Sequence, residues 1–109
     1  MKSEQLDPAA MRVAAERARG LLKVLSNPDR LMLLCQLTNG EHCVGDLEGA
    51  LGIAQPTLSQ QLGVLREEQL VHTRREGKQI FYSIASAEAL AVMQVLYQLF
   101  CNDKQGEQQ

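Results

Sequence analysis

The sequence predicts a mainly α-helical domain carrying one β-hairpin, and three observations lead there. Leu58, Leu62 and Leu65 recur at i, i+4 and i+7 in the stretch GIAQPTLSQQLGVLR, which places them on one face of a helix. A shorter amphipathic pattern, Val44, Leu47 and Leu51, precedes that stretch and is stopped by Gly52, so the two read as helix, turn, helix with the turn at Gly52 to Gln55. After Leu70 the hydrophobic period falls from three-to-four to two, the signature of strands. At 109 residues the chain is a single domain, 1–109, and with aromatics at only 4% its core has to come from aliphatic helices.

In chain order, Asp7-Pro8 supplies an N-cap and a first-turn proline. Met11, Ala14, Ala18, Leu21, Leu22 and Leu25 then repeat at helical spacing, with Arg12, Glu16, Arg19 and Lys23 turned outward. This first helix runs from about Pro8 to Leu25, and residues 1–7 read as a frayed tail. Asn27-Pro28-Asp29 repeats the start signal for a second helix. Its RLMLLCQL is apolar on nearly every side, as in a helix buried all round, and Asn39-Gly40 stops it. Glu41-His42-Cys43 leads into the helix-turn-helix, where Pro56 occupies a position that the first helical turn tolerates.

Val71, Thr73 and Arg75 alternate with His72 and Arg74, Glu76-Gly77-Lys78 forms a turn, and QIFYSI returns as the second strand. Ser86 caps a last helix in which Leu90, Val92, Met93, Val95, Leu96, Tyr97, Leu99 and Phe100 leave a polar stripe only at Ala91, Gln94 and Gln98. That apolar circumference exceeds what one small core can cover. It implies a homodimer with the first and last helices at its seam. Cys101 closes the helix, and residues 102–109 read as a second frayed tail. The whole is a winged helix-turn-helix with N- and C-terminal dimerisation helices.

Opposite the leucine stripe of the second helix-turn-helix segment lie Thr57, Ser59, Gln60 and Gly63, short or amide-bearing groups suited to close approach in a DNA major groove. Thr57, Ser59 and Gln60 are the expected base contacts, with Gln55 and Gln61 nearby; Gln61 leans toward the apolar face. Arg74, Arg75 and Lys78 at the hairpin are the expected phosphate contacts. Taken singly, a solvated polar face and a charged hairpin explain the same residues. The net charge is −2, and from Arg66 to Lys78 four basic residues stand against three acidic ones, so the basic patch is modest. Binding would therefore depend on sequence readout by a two-fold dimer on an inverted repeat.

Other classes fit less well. There is no apolar run long enough for a bilayer and no secretory segment at the start, so no membrane partner and a cytoplasmic location are expected. Three widely spaced cysteines make neither a disulfide scaffold nor a zinc finger, leaving reactive or merely buried thiols. An enzyme would pair a cysteine with His42 or His72. No CxxC, phosphate-binding glycine loop or carboxylate cluster accompanies them, and no cofactor is expected. A winged helix used only for protein contacts remains open, and salt-dependent binding to a palindromic duplex separates it from a DNA reader.

Three segments, LLKVLSNPDRLMLLCQL, VGDLEGALGIAQPTLSQQLGVLRE and RREGKQIFYSI, carry a resemblance over almost the whole chain to the ArsR family of bacterial repressors. Within it the chain is most similar to the BigR and SqrR branch, dithiol repressors responding to persulfides and related sulfur species, with HlyU-like cousins. By context Cys35 in LMLLCQL and Cys101 in YQLFC match that branch's sensor thiols. The resemblance implies a repressor that holds operator DNA when reduced and releases it when persulfides or polysulfides join the two sulfurs by a disulfide or a longer bridge. Metal-sensing relatives carry a close cysteine pair before the reading head. Here His42-Cys43-Val44-Gly45 keeps one thiol, so metal or metalloid sensing by Cys43 and His42 is the alternative and no metal site is expected.

Overall fold

The computed structural model describes residues 7–101, and both expected tails lie outside the described residues except for Asp7. Three of the helices begin where side-chain oxygens can accept otherwise orphaned backbone N–H groups. Asp7 Oδ1 accepts from the Ala10 N–H at 2.7 Å to start α1 (Pro8–Leu25), and Asn27 Oδ1 accepts from the Arg30 N–H at 3.0 Å to start α2 (Pro28–Leu37). Ser86 Oγ accepts from the Ala89 N–H at 3.0 Å to start α5 (Ala87–Leu96). In α1 and α2 a proline follows the cap directly, where its missing N–H costs nothing.

Between α2 and α5 come β1 (His42–Cys43), α3 (Val44–Leu51), α4 (Gln55–Glu67), β2 (Val71–Glu76) and β3 (Gln79–Ile84). Gly52 ends α3 with φ 69°, a left-handed turn in which its N–H donates to the Glu48 carbonyl at 2.9 Å. Gly77, at φ 64°, reverses the hairpin. The hairpin is the expected one, but it belongs to a three-stranded antiparallel sheet in the order β1-β3-β2, with His42 opposite Tyr82 and Arg74 opposite Phe81. Strand β1 was not expected. Two residues are too few to display an alternating pattern, and their pairing is set by β3.

One aliphatic core joins the helices. Its fully buried members are Leu33 and Leu34 of α2, Leu47 of α3, and Leu58, Leu62 and Leu65 of α4. The α4 stripe therefore anchors that helix as its spacing predicts. The expectation that α2 is buried on every side needs correction: Met32 is 42% exposed, and Leu31, Cys35 and Gln36 are only half-buried. Helices α1, α3, α4 and α5 cover most of α2 but leave this strip open in the single chain.

Only Val24 and Leu25 of α1 are buried, while Met11, Val13 and Leu22 face outward. Helix α5 continues into a π-helical turn, Tyr97–Cys101, where an unbroken α-helix was expected. Val95, Tyr97, Leu99 and Phe100 are exposed there, the last at 71%.

A candidate DNA-reading surface and a thiol pair

The buried leucine stripe turns the opposite face of α4 to solvent. Gln55, Ser59, Gln60, Gly63 and Arg66 are exposed on it, and Thr57 is half-buried at its margin. Ser59 Oγ–H donates to Gln55 Oε1 at 2.9 Å, an i to i+4 link that orients the Gln55 amide. Ala54, the residue before α4, offers no side-chain cap, so the first N–H groups of the helix are left for other acceptors. Gln61 is placed differently from its neighbours. It is half-buried against α2, and its Oε1 accepts a hydrogen bond from Arg30 Nη1 at 2.8 Å.

The wing cations also divide. Arg74 Nε and Nη2 donate to the two oxygens of Glu41 at 2.7 and 2.9 Å, and Nη1 donates to Glu76 Oε1 at 2.8 Å. The guanidinium lies 4.8 Å from the Phe81 ring centroid. Arg74 is thus a strap from β2 across β3 to the residue before β1. Its hydrogen bonds hold the Glu41 carboxyl below the usual carboxylate range and keep its own proton firmly bound. Of the three cations expected at phosphates, Arg74 therefore has every guanidinium nitrogen already engaged within the fold. Among the described residues Arg75 donates only to the Gly77 carbonyl, at 3.2 Å, and neither Arg75 nor Lys78 forms an ion pair.

The thiols expected to cooperate come from α2 and from the extension of α5, a helix that packs on α2. Cys35 lies on α2, half-buried against the core, and Cys101 is exposed at the end of the turn that extends α5, which packs on α2. All three cysteines are free thiols. Burial, and after it the negative charge of an ionised Cys101, pushes the Cys35 thiol up. The two thiols, 66 residues apart in sequence, are thus carried by α2 and by the extension of a helix packed on it.

Cys43 precedes α3, its N–H donating to Asp46 Oδ2 at 3.4 Å. His42 Nδ1 is 3.9 Å from the same carboxylate, and its buried Nε2 has no partner among the described residues. Among the described residues no three His, Cys, Asp or Glu side chains converge as a metal cluster.

Sequence reasoning missed Glu41 and the contact role of Arg30. Neither lies on a periodic face. Their partners are 33 and 31 residues away, and no local pattern announces such contacts.

A helix-turn-helix with a hairpin wing and an exposed polar reading face defines a winged-helix DNA-binding regulator. Residues 27–73 match the model of the "bacterial regulatory protein, arsR family". The "biofilm growth-associated repressor" of Xylella fastidiosa strain Temecula1 is 53% identical over 94 residues, covering 86% of this chain and 82% of that protein. The crystal structure of the transcriptional repressor BigR from Xylella fastidiosa superposes with a TM-score of 0.81 at 52% identity, over 88% of this chain and 98% of that one. Reduced HlyU from Vibrio cholerae gives a TM-score of 0.80 at 40% identity, over 84% and 96% of the two chains. The chain belongs to the arsR family and is a transcriptional repressor of its BigR-like group.

Proposed function

We propose that the protein is a dithiol switch: a homodimer that binds an inverted-repeat operator when reduced and releases it when Cys35 and Cys101 are bridged. The observation that carries this reading is that Cys35 stands on α2 while Cys101 ends the turn extending α5, the helix that packs on α2. That a relative was solved specifically as reduced HlyU supports a redox-dependent state in this group.

Cys101, being exposed, meets sulfur donors first. Its thiolate takes the outer sulfur of a persulfide RSSH and expels RS⁻, giving Cys101–S–SH. The Cys35 thiolate then attacks the inner sulfur, forming a disulfide and expelling HS⁻. A polysulfide donor leaves additional sulfur atoms in the bridge. A direct disulfide requires Cα atoms closer than about 7 Å, and longer bridges relax that limit. Either bridge fixes α5 against α2, the helix on which α4 also packs.

The exposed apolar residues of α1 and of the end of α5, with Met32 of α2, form the dimer seam. Gln55, Thr57, Ser59 and Gln60 read bases, and Arg75 and Lys78 hold phosphates. The repressor acts in the cytoplasm, where the chromosome and the thiol-reducing pool reside. An operator-binding assay on reduced, persulfide-treated and metal-treated protein tests the reading. Persulfide should release DNA from the parent and leave Cys35→Ser and Cys101→Ser bound. Release by metal, lost in Cys43→Ser, would instead favour metal sensing through Cys43 and His42.

A further inference from the structure

The leucines that seat α4 fix how deep it lies, but hydrophobic contact is non-directional and sets the rotation of a helix only loosely. A reading head needs more, because productive geometry tolerates only about 10–20° of misorientation. Directional bonds to α4 from elsewhere in the fold are therefore informative.

Arg30 supplies one. Its backbone N–H is fixed by Asn27 Oδ1 at 3.0 Å, and its Nε donates to the Val24 carbonyl, in the last turn of α1, at 2.7 Å. The same guanidinium donates through Nη1 to Gln61 Oε1 at 2.8 Å, and both side-chain bonds are part-buried. One planar group is thus held on α1 and α2 and holds the middle of α4. Gln61 directly follows Gln60 and lies one turn beyond Thr57, so whatever sets the angle of Gln61 also aims those two side chains.

We propose that Arg30 and Gln61 are a positioning pair that sets the rotation of the reading helix, making Arg30 a determinant of sequence specificity that never touches DNA. Gln61 serves this contact and not a base. Its amide oxygen is engaged from within the fold, and its side chain is half-buried where Ser59 and Gln60 stand in solvent.

The test uses the inverted-repeat duplex that wild-type protein selects most tightly from a random library, and the same duplex with scrambled half-sites. Dissociation constants for both are measured at one salt concentration, alongside the thermal midpoint and helical circular dichroism. Arg30→Gln and Gln61→Leu should each reduce the selected-to-scrambled affinity ratio about tenfold, as expected for loss of a charge-assisted hydrogen bond. The double variant should be no worse than either single one, because both remove the same contact. Gln61→Glu keeps an acceptor for Arg30, so it should retain the ratio while its added charge weakens both duplexes alike.

An unchanged ratio in Gln61→Leu, with both affinities lowered together, would mean the pair only stabilises the fold and would overturn the proposal. Collapse of the ratio in Gln61→Glu with retention in Arg30→Gln would overturn it too, because Gln61 would then be reading a base. Should Arg30→Gln fail to fold, the contrast between Gln61→Leu and Gln61→Glu decides the matter alone.

Discussion

Neutralising the wing cations one at a time should separate phosphate contacts from the strap. Each phosphate contact on B-DNA contributes about 0.9 to the slope of log affinity against log salt, so a substitution present in both halves of a dimer removes about 1.8. Between about 50 and about 200 mM salt, a fourfold range, this slope change alters the affinity ratio by about tenfold. Lys78→Gln and Arg75→Gln should each show it, since neither cation is ion-paired within the described residues. Arg74→Gln should leave the slope within about 0.5 of the parent value, because its three nitrogens face Glu41 and Glu76 and release no counterions on binding. Fluorescence anisotropy with a labelled operator across a salt series reads all three. A slope change in Arg74→Gln as large as that in Lys78→Gln would refute the division of the wing drawn here.

Four further outcomes are expected. Leu58→Ala, at a fully buried position of the α4 stripe, should cost about 2–5 kcal/mol in denaturant unfolding, and a loss under 1 kcal/mol would contradict the role of that stripe as the helix anchor. Gly52→Ala meets no atom within 4 Å, so its cost is that of the left-handed backbone alone, about 1–2 kcal/mol; a neutral effect would show that the turn can rearrange. Leu99→Glu, on the exposed apolar end of α5, should shift sedimentation from dimer to monomer, and an unaltered dimer would move the seam elsewhere. The folded-state pKa of Glu41 is depressed, chiefly by its hydrogen bonds from Arg74, so the strap is complete above the ordinary carboxylate value of about 4.3 and is lost as pH falls through the lower folded value. A carboxyl NMR titration should show the Glu41 midpoint rising in Arg74→Gln; no movement would mean that another group holds it.

Much of this architecture was legible because it is local. The N-caps at Asp7, Asn27 and Ser86, the stop at Gly52 and the α4 leucines are all read within one or two turns of chain, and each appears at its expected place. The features that escaped are relational. Strand β1 exists because β3 offers it partners, and the strap at Arg74 depends on a carboxylate brought alongside only after folding. Gln61 shows the limit most sharply: its angular position leaned toward the apolar face, yet nothing in the sequence indicated that Arg30 would hold it. The π turn that carries Cys101 was equally hidden, since the apolar spacing of YQLFC suits either winding. For the thiols, helical periodicity placed Cys35 on α2 and Cys101 at the close of the last helix, but the packing of α5 on α2 is a tertiary contact that no local pattern announces.

The dissociation constant of purified, covalently bridged protein for its operator, set against that of the reduced protein in the same buffer, bears most directly on the switch. Cross-linking Cys35 to Cys101 should weaken binding at least tenfold, a coupling of about 1.4 kcal/mol or more, and reduction should restore it. Equal affinity in the bridged and reduced states would contradict a thiol-controlled repressor, however readily the bridge forms.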